Sequence, residues 1–476
     1  MLFSSAIFLF CFLPAVLLAY YILPFRFRNA LLFLSSLVFY SWGEEKIVLI
    51  MLAAIFINYI AAIYIDKGYK KTGIIVALVS TLSFLIFYKY FNFTFDNFRR
   101  LLGLAGISIP VLERLPYIAL PIGISFYTFQ ILSYTIDVYR GNVRANKNFI
   151  DFAAYITMFP QLVAGPIVRY IDIEKQLKHR ELSTDKFAQG IERFVIGLGK
   201  KMIIANSFAA VADEIFAFQI SEISTATAWI GVISYTFQIY YDFSGYSDMA
   251  IGMGKMFGFE FLENFRYPYI SVSIREFWRR WHISLSSWFR DYLYIPLGGN
   301  KMSTGRTYLN LIIVFFITGL WHGAAWNFVV WGLFHGFFII LERIGFGKIL
   351  ERTWKPVSHI YVILVIIVGW VFFRSENLAF SFQYLATMFG MHSGEPFYGL
   401  TKYLNLENSI LVCFAILFST PAYPALLKWF TPDKVSTGFA NHTFHLVHII
   451  LILLLFVACI GYLSADTYNP FIYFRF

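Results

Sequence analysis

Charge is what this chain has least of. Only 14% of its 476 residues are charged against 59% apolar, and the mean hydropathy is +0.65. Such a composition excludes a disordered chain and an ordinary water-soluble globule, and points to a polytopic membrane protein whose solvent is mostly lipid. Cysteine is scarce too. Cys11, Cys413 and Cys459 are odd in number, lie in apolar runs and lack metal-ligand spacing, so a disulfide framework and a thiolate metal site drop out and core packing remains. Absent as well are a Walker-type phosphate loop, H-E-x-x-H and G-x-S-x-G, which sets aside the common ATPase, metalloprotease and serine-hydrolase readings; no metal is expected. The first run, Met1–Ile22, has neither the basic n-region nor the A-x-A-like cleavage site of a signal peptide, and is expected to stay as a transmembrane helix. Without repeats, low-complexity tracts or a soluble stretch, residues 1–476 are expected to form a single membrane-embedded domain.

What is there is hydrophobic run after hydrophobic run: thirteen candidates, near 2–22, 30–42, 47–65, 73–91, 117–139, 149–166, 202–217, 228–250, 307–320, 325–341, 357–373, 408–427 and 443–463. A helix needs about 20 residues to cross the hydrocarbon, so 30–42 and 307–320 are short, and 149–166, broken by Pro160, suits a re-entrant or interfacial hairpin. Lys and Arg clusters at 26–28, 67–71, 140–147, 169–186, 266–306 and 343–355 fall on one side if twelve segments cross, which puts both termini outside the cell. The net charge of +10 is then a topological bias facing an anionic inner leaflet and membrane lipids, and nucleic acid is not expected as a partner.

Against that oily background Arg275 to Gly299, REFWRRWHISLSSWFRDYLYIPLGG, stands out as basic, aromatic and histidine-bearing. Read as one helix over 275–292, it places Arg275, Arg279, His282, Ser286 and Arg290 on one narrow face, with Trp278, Trp281, Leu285 and Trp288 on the adjacent stripe. The bland alternative is an interfacial helix with its arginines on lipid phosphates. Cations on its own face should disfavour protonation of His282 and leave a neutral imidazole. Gly298 and Gly299 follow in a turn that permits close approach of backbone to a phosphate-bearing donor.

A second cluster, LWHGAAW at Leu320–Trp326, ends a short apolar run, so His322, flanked by Trp321 and Trp326, is expected at membrane depth, where an ionisable residue is a functional candidate. His335, thirteen residues further along what reads as the same helix, is expected on a different face, either packing or supporting the site from behind. Asp242 and Asp248 are six residues apart, too far round a helix to face each other; pairing with arginines of 275–290 is as good a reading as catalysis.

YYDFSGYSDMAIG at 240–252, FRYPYISVSIREFWRRWHISLSSWFRDYLYIPLGG at 265–299 and GLWHGAAWNFVVWGLFHG at 319–336 resemble the membrane-bound O-acyltransferase family, and most closely its bacterial branch acting in alginate O-acetylation. The start MLFSSAIFLFCFLP and the ending FIYFRF extend the resemblance over nearly the whole chain. It implies an all-α fold of roughly 11–13 helices in a ring around a thinned centre, in a bacterial cytoplasmic membrane. By the same resemblance His322 is the catalytic histidine and His282 the second polar residue. Arg275, Arg279, Arg290, Gly298 and Gly299 bind the donor, and Asp242, Asp248, Trp321 and Trp326 support the site. The implied reaction takes an acetyl group from acetyl-CoA or an acyl carrier protein, with no bound cofactor, to a polysaccharide acceptor through an extracytoplasmic SGNH-like transferase. The tail 469–476 carries Tyr473, which is either an acyl relay or an aromatic anchor. Two alternatives stand beside this: a transporter of polysaccharide or lipid-linked sugar, against which the lack of repeats speaks, and a lipid O-acyltransferase of the same family.

Overall fold

The computed structural model describes residues 1–44, 47–107, 109, 117–392, 394–430 and 439–465, and Tyr473 lies outside them. The described residues form helices and connecting loops with no strand. Seven helical stretches are long and apolar enough to cross a membrane: Val48–Asp66, Lys70–Leu104, Thr184–Ala217, Thr304–His322, Trp326–Arg352, Lys355–Arg374 and His445–Ser464. This is a multi-pass membrane protein, with every long apolar run satisfying its own backbone as lipid demands.

Other apolar runs are cut or made polar. Residues 149–166 break at Met158, whose ψ of 111° ends Phe149–Thr157. Pro160 then falls in the first turn of Phe159–Leu162, where its missing N–H costs no hydrogen bond. The run at 117–139 becomes helical only from Ile124, after Gly123 turns the chain at φ +74°.

The chain folds as two compact units, residues 1–187 with 253–262, and residues 188–252 with 263–476. In the first, Val48–Asp66 and Lys70–Leu85 pack closely because Gly73 has no Cβ, which would stand 2.9 Å from the Ala61 carbonyl oxygen. Asn58 Nδ2 donates to Thr81 Oγ1 at 2.8 Å between the same helices, a polar link of the kind that holds membrane helices together.

The second unit holds the candidate site. Its elements are α1 (Thr225–Met256), α2 (Ile274–Arg280), α3 (Ile283–Phe289), α4 (Thr304–His322), α5 (Trp326–Leu341) and α6 (Lys355–Arg374). Ser273 Oγ caps α2 by accepting from Glu276 N at 3.0 Å, and Ser303 caps α4 in the same way. α4 and α5 form a tight hairpin in which Gly319 and Gly332 each lie so close to a carbonyl of the opposite helix that a side chain would collide with it. Asn327 Nδ2 then ties the start of α5 to the end of α6 by donating to the carbonyls of Phe372, at 3.2 Å, and Ser375, at 2.8 Å.

Candidate active site

His322 is the last residue of α4, ended by the extended backbone of Gly323. It is buried, and three rings stand around it: Trp321 and Trp331 edge-on at 4.9 Å and Phe373 at 5.2 Å. The Asn327 link just described is what carries Phe373 to this position. Trp321 also touches His282 at 6.2 Å, so the two histidines named from the sequence share one indole.

His282 does not lie within a helix. The expected helix over 275–292 is broken by extended Trp281 and by His282 itself, at φ +45° and ψ +56°, into α2, α3 and a π-turn, Arg290–Tyr294. The common face drawn through Arg275, Arg279, His282, Ser286 and Arg290 therefore does not exist. The cause is non-local: residues 264–266 run beside 280–284, with Arg266 N donating to the Arg280 carbonyl and Ile283 N to the Asn264 carbonyl, each at 3.0 Å.

The Asn264 side chain completes this arrangement and settles the imidazole's tautomer. Its Oδ1 accepts from Ser284 N at 3.2 Å and from Ser284 Oγ at 2.9 Å, and lies 3.1 Å from His282 Nδ1. A backbone N–H can only donate, so the atom facing it is the amide oxygen, and His282 Nδ1 must carry the proton. Nε2 is left with a lone pair and no hydrogen-bond partner among the described residues. Burial, and not a face of cations, pushes the imidazole down to about 3 and keeps it neutral.

Around the two histidines the interior holds further polar nitrogens without partners. Trp331 stands between His322 and His335, with ring centres 4.9 and 5.2 Å away, and Trp278 meets His335 at 5.2 Å. Trp278 Nε1, Trp331 Nε1 and His335 Nδ1 are buried and make no hydrogen bond among the described residues. His335 lies on α5, not on the helix of His322 as the sequence suggested, because the chain turns back between Gly323 and Ala325. Buried donors without acceptors are rare in folded proteins, and two indole N–H groups in one aromatic cluster mark an interior where a polar guest is expected.

The carboxylates have other partners than those expected. Asp242 forms a buried ion pair with Lys201 at 2.7 Å; Asp248 pairs with Lys200 at 2.6 Å and with Arg193 at 2.8 Å, and Arg193 also binds Glu263. No arginine of 275–290 takes part in these pairs. Lys200 and Lys201 sit in a π-turn, Lys200–Ala205, beside a close helix contact at which a Gly197 Cβ would stand 2.6 Å from the Gly245 oxygen. These pairs position α1, whose Phe243 ring meets His282 edge-on at 4.7 Å.

The proposed donor residues lie further out. Arg275, Arg279 and Arg290 are exposed, and Arg290 pairs with Asp291 at 2.7 Å. Gly298 and Gly299 both have positive φ, +104° and +54°, in a turn held to α4 by Asn310, which donates to the carbonyls of Leu297 at 3.2 Å and Gly299 at 3.1 Å. Trp321 is buried and Trp326 is half-exposed at the start of α5. Glu342, not singled out from the sequence, is buried and accepts from the backbone N–H of Ile274 at 2.6 Å and Arg275 at 3.1 Å, so it caps α2 from outside the local sequence. Asn264, Lys201 and Trp331 were missed in the same way, since nothing in local periodicity marks a residue that acts on a distant segment. No cluster able to hold a metal ion occurs among the described residues.

Comparison with known proteins bears on the chain as a whole. The chain is 40% identical to the probable alginate O-acetylase of Azotobacter vinelandii over the full length of both. It is 36% identical to the peptidoglycan O-acetyltransferase of Helicobacter pylori, over 89% of this chain and 87% of the other. It is 27% identical to the teichoic acid D-alanyltransferase of Bacillus subtilis, over 58% of this chain and 69% of the other. The sequence pattern of the membrane-bound O-acyltransferase family matches residues 37–383, which contain both histidines and the aromatic cluster; the chain is an O-acyltransferase and belongs to that family.

Proposed function

We propose that the chain moves an acetyl group from a cytoplasmic thioester, acetyl-CoA or an acyl carrier protein, across the bacterial cytoplasmic membrane for O-acetylation of an extracytoplasmic polysaccharide. The observation that carries this reading is a pair of buried histidines sharing Trp321, inside an aromatic cluster whose two buried indole N–H groups find no acceptor among the described residues. A hydroxyl attacks a thioester only as its proton leaves, and His322 is the base that takes it. The oxygen bonds to the thioester carbon, the carbonyl becomes an oxyanion, and collapse expels the thiolate, which recovers the proton from the His322 imidazolium to leave as a thiol.

The neighbouring groups divide the remaining work. Because Nδ1–H of His282 is committed to Asn264, its Nε2 is an acceptor and cannot polarise a carbonyl; it orients a donor or acceptor N–H or O–H instead. The oxyanion needs a hydrogen-bond donor, and Trp331 Nε1–H, on the indole against His322, is suited to that role. Arg279, Arg290 and the Gly298–Gly299 turn bind the donor's phosphates from the basic side. Alginate, peptidoglycan and teichoic acid in the relatives' names support an envelope polymer as final acceptor. An SGNH-like partner receives the acetyl group outside, where both termini lie, with Tyr473 as the relay.

Purified His322→Ala, assayed with labelled acetyl donors, is expected to keep its fold and lose transfer by about 100- to 10,000-fold. Wild-type turnover in a folded His322→Ala protein would refute the mechanism.

A further inference from the structure

The first unit buries a guanidinium whose nitrogens meet no hydrogen-bond acceptor of good geometry among the described residues. Arg180 lies between helix Tyr170–Lys178 and the helix that begins at Thr184. It is only 6% exposed, and its Nε, Nη1 and Nη2 have no hydrogen-bond partner among the described residues. Three rings enclose it, Phe259 at 4.5 Å, Phe25 at 5.1 Å and Tyr20 at 5.7 Å. The Tyr20 hydroxyl spends its proton on the Phe257 carbonyl at 2.7 Å. Its oxygen favours the charge of Arg180 but makes no hydrogen bond to it of good geometry. Asp151 attracts Arg180 most weakly of the neighbouring groups and is engaged by Asn29 at 2.7 Å.

A second cation makes the imbalance larger. Arg28 stands over the same Tyr20 ring at 5.0 Å, so two guanidiniums flank one phenol. Among the described residues Arg28 gives its Nε to the Leu23 carbonyl, at 3.1 Å, and is half-exposed. Aromatic faces offset part of the cost of a buried cation, but they accept none of its N–H bonds. What is missing is an anion with several oxygens that can face two planar forks, and a phosphate group is the common anion of that shape. Gly258, at φ +83°, belongs to the enclosure; a Cβ there would stand 2.7 Å from Leu182 and 3.3 Å from the Arg180 Cβ.

We infer that Arg28 and Arg180 form a phosphate-binding site on the first unit, with Arg28 as its open side and Arg180 as its buried floor. The phosphate comes from an anionic lipid headgroup or from a soluble phosphate compound. The site is built from first-unit residues alone and does not depend on the acyl-transfer reading.

The test uses the full-length protein in a phosphate-free nonionic detergent and buffer, probed with phosphatidylglycerol, inorganic phosphate and adenosine 3′,5′-bisphosphate. The readouts are the thermal midpoint and, for the lipid, retention in native mass spectrometry. At least one probe is expected to raise the wild-type midpoint by about 3–5 °C, with the shift lost in Arg28→Gln and Arg180→Met. A response to phosphatidylglycerol alone assigns a lipid, and a response to the soluble probes assigns a soluble phosphate. No shift with any probe, or equal shifts in wild type and variants, overturns the inference. If Arg180→Met does not fold, the half-exposed Arg28→Gln decides the matter alone.

Discussion

Replacing Trp331 by Phe removes one N–H and part of a ring, and its two effects on stability oppose each other. The indole is 1% exposed and packed against His322, His335, Phe373 and Trp278, so the smaller ring loses contact area worth roughly 1–2 kcal/mol. The same change deletes a buried donor that has no acceptor, which relieves a cost of about 1–3 kcal/mol. The thermal midpoint is therefore expected within a few degrees of wild type. Catalysis has no such cancellation. An N–H that serves the oxyanion is worth about 2.7–4 kcal/mol in the transition state, so kcat is expected to fall by about 100- to 1,000-fold with little change in KM for the donor. The assay is acetyl transfer from labelled donor by purified variants, run beside thermal unfolding. A variant with kcat within about threefold of wild type would show that Trp331 only packs, and a parallel collapse of midpoint and rate would show that the rings are a scaffold.

Further outcomes follow from the same geometry. Lys201→Met strands Asp242 in the interior and is expected to cost roughly 3–5 kcal/mol of stability, whereas Lys201→Met with Asp242→Leu recovers most of it; equal loss in single and double variants by thermal unfolding would refute the pairing. His282, held neutral down to about 3 in the fold, takes up its proton near its ordinary value of about 6.5 only when the chain unfolds. Its contribution to stability is thus full above pH 6.5 and is lost as pH falls towards 3, and a pH-stability profile unchanged between wild type and His282→Asn over that range would contradict it. Tyr473→Phe is expected to block transfer to the glycan while keeping an aromatic ring; mass spectrometry of the C-terminal peptide with labelled donor should find acetyl on wild type only, and full glycan acetylation by the variant would reduce the tail to an anchor.

Much of the fold was written in the order of apolar runs, because lipid leaves helices as the economical answer to long hydrophobic segments. The tight turn at Gly298 and Gly299, both at positive φ, was likewise legible from local residue types. The kink at His282 was not. It depends on Asn264, eighteen residues earlier, capturing Ser284 and the imidazole, and a helical wheel has no means to register a partner on another segment. The ion pairs of Asp242 and Asp248 were hidden for the same reason, since their cations, Lys200 and Lys201 of a π-turn and Arg193 of the helix before it, arrive from some forty to fifty-five residues upstream. His335 was misplaced through a signal that was available: Gly323, one residue after the last helical histidine, stands where helix stops are usually found.

The left-handed backbone at His282 bears on how this enzyme's mutants should be scored. Among the described residues only Tyr267 and His282 adopt positive φ without being glycine. Alanine at this position loses the imidazole and also tolerates left-handed backbone less well than histidine, so an alanine scan confounds side-chain chemistry with main-chain strain. Asparagine tolerates left-handed geometry and lacks the ring, which makes it the fairer reference. The difference between His282→Ala and His282→Asn then measures the backbone's share, and only the remainder belongs to the imidazole.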